Sequence, residues 1–145
     1  MTAYFTVLGE PRGKARPRVV KRGNFVNTYT PDETVLYENL IKTEYHRQCN
    51  DVFFPQGIPL VMWITACYAI PKNTSKKKRA EMLQERIFPT KKPDIDNVIK
   101  VFADALNGVA FHDDVQIVNL HLFKKYDEQP KVEVRIQDME SAYSW

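Results

Sequence analysis

Two closely spaced pairs of aspartates are the residues whose types and spacing best suit chemistry in this sequence. Asp94 and Asp96 form a DxD pair at the start of a strongly amphipathic stretch, and Asp113 and Asp114 follow the end of that stretch. Mg²⁺ is a hard cation that binds oxygen ligands, commonly one or two carboxylates together with waters and a substrate phosphate. A cation held in this way polarises a phosphate and activates a water, so the two pairs predict a metal site for phosphodiester hydrolysis.

Each pair also has an ordinary structural interpretation. Either residue of the DxD pair could cap the N-terminus of a helix, and Asp113 with Asp114 could form a polar turn. The helix predicted over residues 94–106 would be about 18 Å long, so the chain must return along that length before the two pairs can meet. The sequence alone leaves these interpretations open.

Lys100 follows Asp96 by four residues, so the two side chains share one face of the predicted helix. One interpretation is a surface ion pair, which contributes little to stability. The other is a cation that contacts the scissile phosphate and stabilises its transition state. Asp104, one turn further along, could support Lys100 in that role.

Positive charge is concentrated in two separate segments, although the net charge of the whole chain is only +3. Residues 1–30 carry a net charge of +5 and residues 71–92 carry +6, which leaves about −8 for the rest. This distribution suits a protein that binds a polyanion beside a carboxylate cluster, although two solvated loops would give the same pattern. The candidate DNA-binding residues are Arg12, Lys14, Arg16, Arg18, Lys76, Lys77, Lys91 and Lys92. Phe25 and Tyr29 could stack on exposed bases or anchor a loop.

Several classes of protein have no support in the sequence. No Ser-His-Asp arrangement, G-x-S-x-G elbow or phosphate-binding P-loop occurs, so we expect neither a covalent hydrolase nor a nucleotide cofactor. No apolar run approaches the roughly 20 residues of a membrane helix, and the first residues do not resemble a signal peptide. Cys49 and Cys67 are expected to be buried thiols, with a disulfide left open. These features together predict a cytoplasmic protein without a membrane partner.

The elements that must position these residues alternate irregularly between strands and helices. Periodicity, caps and turn residues predict strands over 3–8, 59–70, 115–124 and 131–137, helices over 30–48, 76–86 and 94–106, and a basic loop or ribbon over 12–24. Thr30 is the predicted cap of the first helix, and the last two strands are predicted to form an antiparallel hairpin. We therefore predict an α+β fold, a single two-layer domain over residues 1–138 with a mixed sheet packed against helices, followed by a frayed tail over residues 139–145.

Three motifs occur in order along the second half of the chain: KPDIDN-x-x-K at residues 92–100, DALNG at residues 104–108 and DD-x-Q-I at residues 113–117. Together they resemble the RusA family of Holliday junction resolvases, which phages and prophages often encode. The resemblance is densest over residues 92–124 and continues more weakly in two N-terminal stretches. It implies a RusA-like fold and a homodimer that requires Mg²⁺ or Mn²⁺ and cuts two opposed strands of a four-way DNA junction.

The resemblance also assigns roles to individual residues. It implies that Asp94, Asp96 and Asp114 are the catalytic carboxylates and that Lys100 is the helix lysine of the family. Residues 91–93 depart from the family's best-known bacterial member, which has an arginine run there, so the cleavage preference does not carry over. Two alternatives are a nuclease selective for flaps or forks and a non-catalytic DNA-binding protein. The paired aspartates argue against the second, because carboxylates repel phosphates unless a cation bridges them.

Overall fold

A four-stranded mixed sheet forms one layer of the molecule, and two long helices pack against one of its faces. The computed structural model describes residues 1–29, 31–50 and 52–143. The elements in chain order are β1 (Thr2–Leu8), β2 (Arg18–Arg22), β3 (Phe25–Tyr29), α1 (Asp32–Cys49), β4 (Leu60–Ala69), α2 (Lys76–Leu83), α3 (Ile95–Leu106), a 3₁₀ turn (Asp114–Gln116), β5 (Ile117–Asp127), β6 (Lys131–Asp138) and α4 (Met139–Ala142). This arrangement confirms the predicted α+β fold.

The strand order in the main sheet is β1-β6-β4-β5. β4 pairs with β6 in antiparallel orientation and with β5 in parallel orientation. The predicted hairpin between the last two strands is therefore wrong, because β4 lies between them. β4 is apolar and buried along most of its length, so it takes a central position in which both of its edges are paired.

The core lies between the sheet and the helices α1 and α3. Leu60 and Ile64 of β4 face the helices and pack in one apolar cluster with Phe102 of α3. α3 forms where apolar residues recur three and four positions apart, and it ends at Asn107, both as predicted. Ile95, the first residue of α3, lies outside this apolar stripe because its side chain is exposed.

Some segments at the element ends differ from the prediction. Thr30 lies outside the described residues, and Pro31 occupies the N-cap position of α1 without a side-chain hydrogen bond. The first residues of the predicted frayed tail form α4 instead. Asp138 caps this short helix, and the Met139 N–H donates to the Pro59 carbonyl oxygen at 3.0 Å. Residues 144 and 145 lie outside the described residues.

Both cysteines are free and buried, which confirms the prediction of buried thiols. Burial raises the pKa of the Cys67 thiol to about 11, so this group stays protonated and is a poor nucleophile. Within the described ranges of the chain, no helix has the length and apolar character needed to cross a membrane.

β2 and β3 form a separate antiparallel ribbon outside the main sheet. The two strands are joined by a two-residue turn at Gly23 and Asn24, where Gly23 has a φ of +60°. Every residue of both strands is exposed. The basic loop or ribbon predicted over residues 12–24 is therefore a ribbon, and it extends to Tyr29.

Candidate active site at the ends of helix α3

The DxD pair lies at the N-terminal end of α3. Asp94 is the N-cap residue, and its Oδ1 accepts a hydrogen bond from the Asn97 N–H at 3.2 Å. Asp96 lies in the first helical turn, and both aspartates are exposed. The structure confirms the capping interpretation for Asp94, but this role occupies only one of its two carboxylate oxygens and does not involve Asp96.

An open cleft of about 680 Å³ lies beside the DxD pair. Lys91 and Lys92 of the preceding connector line it, together with Asp94, Asp96 and Lys124 of β5. The Lys124 Nζ donates to the Lys91 carbonyl oxygen at 2.7 Å, which ties the connector to β5. Two carboxylates and three ammonium groups around one cleft suit the joint binding of a hard cation and a phosphate anion.

The buried Tyr68 and the partly buried Lys124 position this end of α3. The Tyr68 hydroxyl donates to the Pro93 carbonyl oxygen at 2.7 Å, directly before Asp94. Burial raises the pKa of Tyr68 to about 12, and the negative charges of Glu10 and Asp94 act in the same direction. Tyr68 therefore keeps its proton and remains a donor at neutral pH. Partial burial lowers the pKa of Lys124, and the charge of Asp94 opposes that change.

The Asp113–Asp114 pair lies at the other end of α3. The Asp114 N–H donates to Oδ1 of Asn107, the residue that ends the helix, at 2.8 Å. Asp113 caps the 3₁₀ turn: its side chain accepts from the Gln116 backbone N–H, and the Gln116 Oε1 accepts from the Asp113 N–H at 3.1 Å. The buried Gln116 amide also donates to two carbonyl oxygens of the loop before β4. These contacts fix the backbone that carries both carboxylates.

Three carboxylates are crowded together at this end of α3. Burial raises the pKa of Asp114, and the neighbouring Asp113 and Asp104 raise it further, while a hydrogen bond with Asn107 acts in the opposite direction. Among the described residues, neither Asp113 nor Asp114 forms an ion pair. A bound divalent cation would remove this repulsion, because it favours the ionised form of nearby carboxylates.

The two aspartate pairs do not meet within one chain. They lie at opposite ends of α3, and a helix of 12 residues is about 18 Å long. The ligands of one Mg²⁺ lie about 2.1 Å from the ion, so their oxygen atoms must be within about 4 Å of one another. Across the part of the chain that the structure describes, no group of three or more His, Cys, Asp or Glu side chains is arranged so that it could hold a metal ion by itself. One chain therefore supplies two separate carboxylate pairs rather than a single site of four carboxylates.

Lys100 projects from the exposed side of α3, one turn after Asp96. The surface ion pair between Asp96 and Lys100 is absent, and no described residue forms an ion pair or a hydrogen bond with the Lys100 ammonium. Asp104 does not support Lys100 either, because its carboxylate lies 3.3 Å from the Lys14 Nζ. The Lys100 ammonium is therefore available to an external anion.

Lys14 was predicted to contact DNA, but the structure places it in an internal ion-pair network. Its Nζ lies 2.8 Å from Glu38 and 3.3 Å from Asp104, and its N–H donates to the Asn97 carbonyl oxygen at 2.8 Å. Burial by itself acts to lower the pKa of Lys14, but its bonds with Glu38 and Asp104 outweigh burial and raise that pKa. The physical role of Lys14 is to hold the N-terminal loop against α1 and α3.

The other predicted DNA-binding residues lie in four places. Arg12 and Lys92 line a second cleft of about 350 Å³ between the N-terminal loop and the first turns of α1 and α3. Arg16 and Arg18 are exposed at the base of the β2–β3 ribbon. Lys76 and Lys77 are exposed in the first turn of α2, and Lys91 lies in the cleft beside Asp94, as described above.

Lys124 and Tyr68 are members of this site that sequence reasoning missed. Lys124 carried a usable signal, since it interrupts the alternation of Leu120, Leu122 and Tyr126 on one face of β5. A lysine at an inward position of an otherwise apolar face requires a specific role. Tyr68 carried no such signal, because an aromatic residue in a buried strand is ordinary core.

The carboxylates and lysines at the N-terminal end of α3 form a candidate site for phosphodiester chemistry. A model of the family described as Endodeoxyribonuclease RusA matches residues 9–137 of this chain. The chain therefore belongs to the RusA endodeoxyribonuclease family, as its three motifs implied.

Two curated relatives are similar to this chain. The protein named Uncharacterized protein YqaN of Bacillus subtilis (strain 168) is 34% identical over 142 residues, which covers 93% of this chain and 95% of the relative. The Crossover junction endodeoxyribonuclease rusA of Lactococcus phage r1t is 32% identical over 87 residues, which covers 59% of this chain and 60% of the relative. The first likeness extends over nearly the whole fold, and the second over somewhat more than half of it.

Proposed function

We propose that this chain is a divalent-cation-dependent endonuclease that resolves four-way DNA junctions. The observation that carries the proposal is the Asp94–Asp96 pair in a cleft lined by three lysines. Membership of the RusA endodeoxyribonuclease family supports nuclease chemistry. The relative from Lactococcus phage r1t is named a crossover junction endodeoxyribonuclease, which supports a four-way junction as the substrate.

The donor groups at both ends of α3 fit Mg²⁺, with Mn²⁺ as a substitute, because they are carboxylate oxygens. Asp94 and Asp96 would hold the ion from one end, and Asp113 and Asp114 from the other. A bound divalent cation supplies Lewis-acid polarisation of the phosphate and lowers the pKa of a bound water. The Asp113 side chain also caps the 3₁₀ turn, so Asp114 is the freer ligand of its pair.

The lysines bind and orient the DNA strand beside the DxD pair. Lys91 and Lys92 are exposed and neutralise phosphates on the strand that enters the cleft. Lys124 is held by the Lys91 carbonyl and keeps the connector in place. Lys100 is the available ammonium nearest to Asp96 on the same helix face, so it contacts the scissile phosphate and stabilises the negative charge of the transition state.

A homodimer could bring together the two aspartate pairs that lie apart within one chain. The first residues of α3 lie near Lys124, toward the C-terminal end of β5. The last residues of α3 lie beside Asp114, just before β5 begins. Helix α3 therefore runs antiparallel to β5. Among the strands that the structure describes, β5 is an edge strand with β4 as its one neighbour, and it exposes apolar side chains such as Val118 and Leu120. An exposed edge strand of this kind is a ready template for pairing with another chain.

Two copies joined along β5 by a two-fold axis would bring opposite ends of α3 together. Antiparallel pairing of β5 with its own copy places Asp94 and Asp96 of one copy beside Asp113 and Asp114 of the second. A two-fold interface creates two equal sites. Two equal sites match the two opposed strands that must be cut in a four-way junction.

The test is cleavage of synthetic DNA substrates by the purified protein. With Mg²⁺ or Mn²⁺, we expect nicks in two symmetrically opposed strands of a four-way junction. A chelator should abolish cleavage but leave binding of the junction intact. If the initial cleavage rates on flap or fork substrates equal the rate on the four-way junction, the protein is a general nuclease for branched DNA and not a junction resolvase. Salt-sensitive binding without any nicked product, at any metal concentration, would leave only a DNA-binding protein.

A further inference from the structure

The β2–β3 ribbon has two chemically different faces. Register pairs Arg18 with Tyr29 and Arg22 with Phe25, so these four side chains lie on one face. The same face also carries Val20 and Asn27, and the opposite face carries Val19, Lys21, Val26 and Thr28. Phe25 is 76% exposed and Tyr29 is 45% exposed, so neither ring is part of the core.

The composition of this exposed ribbon suits a binding surface. A lone two-stranded hairpin is at best marginally stable in water, and this one leaves Phe25, Val19 and Val26 in solvent. Between Arg18 and Tyr29 the chain carries three cations and no carboxylate. The charge complements a polyanion, and the aromatic rings complement flat apolar rings.

Arginines that alternate with aromatic side chains on one surface suit unstacked nucleic-acid bases. Aromatic rings stack on the faces of bases, and arginine binds phosphates and also stacks on bases. An intact duplex hides its base faces, whereas bases at a strand exchange point can be unstacked. The arginine–aromatic face therefore matches branched DNA better than linear duplex.

The base of the ribbon lies close to the DxD end of α3. Arg18 and Tyr29 line a small cleft with the first residues of α1. Lys14, four residues before the ribbon, donates its N–H to Asn97 in the first turn of α3. Five residues per strand give the ribbon a reach of about 17 Å from this point.

We propose that the arginine–aromatic face of the β2–β3 ribbon binds unstacked bases at the branch point of DNA, with Phe25 at the tip stacking on a base. This inference rests on the proposed function, because it assumes that the substrate is branched DNA. The ribbon supplies selectivity for branched over linear DNA, while the lysines of the α3 cleft bind phosphates of either form.

The experiment compares Kd values for a four-way junction and for a linear duplex of the same sequence, in chelator, so that no cleavage is needed. Phe25→Ala should weaken junction binding by about 5- to 150-fold, the range for loss of one base–aromatic stack, and leave duplex binding nearly unchanged. Val26→Ala, next along the strand on the opposite face, is the matched control and should change neither Kd. Phe25→Trp should retain junction affinity, and its added fluorescence should change on binding the junction but not the duplex.

Three outcomes would overturn the inference. Equal losses on junction and duplex would make the ribbon a general DNA contact, and unchanged binding by Phe25→Ala would remove it from the DNA interface. If Phe25→Ala changes the oligomeric state measured by light scattering but not the ratio of the junction and duplex Kd values, the ribbon binds a second copy of the chain. Absence of cleavage by the wild-type protein in Mg²⁺ would reject the nuclease function separately, since the binding comparison contains no metal.

Discussion

The two ends of helix α3 differ in the charge that surrounds their carboxylates. At the N-terminal end, Asp94 and Asp96 share a cleft with three lysines, and the cleft opens to solvent. At the C-terminal end, Asp114 is crowded by other carboxylates, and burial together with these neighbours raises its pKa. In the proposed function both ends supply carboxylates for the cation, but only the first end also supplies lysines for the phosphate, so we call the first the phosphate-binding end and the second the cation-binding end. The complete site of the proposal forms when the two ends meet.

The largest effect should come from removing a carboxylate at the phosphate-binding end. Asp96→Asn should lower the single-turnover rate of junction cleavage by at least about 100-fold, the scale for losing one preorganised electrostatic contact in an active site. Junction binding in chelator should stay within a few-fold of the wild-type value. Glu140→Gln, which removes an exposed carboxylate of α4, is the control and should cut normally. A fully active Asp96→Asn protein would show that this end is not catalytic.

Mixing two inactive variants would sharpen the comparison between the ends. If each site combines opposite ends from two copies, a dimer of one Asp96→Asn chain and one Asp114→Asn chain has one intact site. Random exchange makes half of the dimers mixed, so we expect about a quarter of the wild-type nicking rate, with single rather than paired nicks. The measurement is cleavage after the two proteins are unfolded and refolded together. Complete inactivity of the mixture, with each variant folded, would place each site within one chain.

Removing the charge at the cation-binding end should stabilise the metal-free protein. The folded-state pKa of Asp114 is raised, so its proton binds more tightly in the folded state. The protonated Asp114 side chain therefore stabilises the folded state relative to the ionised one. This stabilisation is complete below the unfolded-state pKa and is lost as the pH rises through the folded-state pKa. At pH 7, Asp114→Asn should therefore raise Tm by about 2–4 °C, and the gain should vanish near pH 3.

Glu44 is the control of opposite sign for this measurement. A hydrogen bond from Arg47 lowers its pKa, so Glu44→Gln should slightly lower Tm at pH 7. Thermal melts across pH in chelator test both variants. A lower Tm for Asp114→Asn at neutral pH would contradict the crowding of carboxylates at this end. Adding Mg²⁺ should then raise the Tm of the wild-type protein more than that of Asp114→Asn, because the variant lacks a ligand.

The smallest expected effects are those of two lysine substitutions near the first turn of α3, one at the internal Lys14 and one at Lys92, which we propose binds DNA. Lys14→Met breaks bonds with Glu38 and Asp104, so it should lower Tm by about 2–4 °C. It should leave the salt dependence of DNA binding unchanged. Lys92→Met should leave Tm unchanged and reduce the slope of log Kd against log salt by about 0.9, the value for one lost phosphate contact. If instead Lys92→Met lowers Tm and Lys14→Met reduces the salt slope, Lys92 is the internal lysine and Lys14 is the DNA contact.

The sequence predicted α3 closely because the signals that form it are local. Asp94 caps the helix, apolar residues recur at helical spacing and Asn107 ends it, all within 14 residues. The position of Lys14 depends instead on Glu38 and on Asp104, which is 90 residues away in the chain. A lysine in a basic loop gives no sign of such distant partners, so the sequence could not predict that Lys14 lies in an ion-pair network.

The strand order was mispredicted for a related reason. β5 and β6 are joined by a short turn, and both alternate apolar and polar residues, which is what a hairpin requires. Their separation by β4 depends on the burial of β4 on both sides, a property of the whole sheet. The β2–β3 ribbon was only partly predicted, because Phe25 and Val26 are adjacent apolar residues and both are exposed.

Gly13 fixes how the N-terminal loop approaches α3. A Cβ atom at this position would lie 2.7 Å from the Asn97 Cβ and 3.0 Å from the Pro93 Cβ, so no other residue fits without displacing that helix. The loop backbone thus touches the residues on either side of Asp94 and continues into the β2–β3 ribbon. If the ribbon contacts DNA as proposed, we expect this tight joint to pass a displacement of the ribbon on to the start of α3, where Asp94 is the cap.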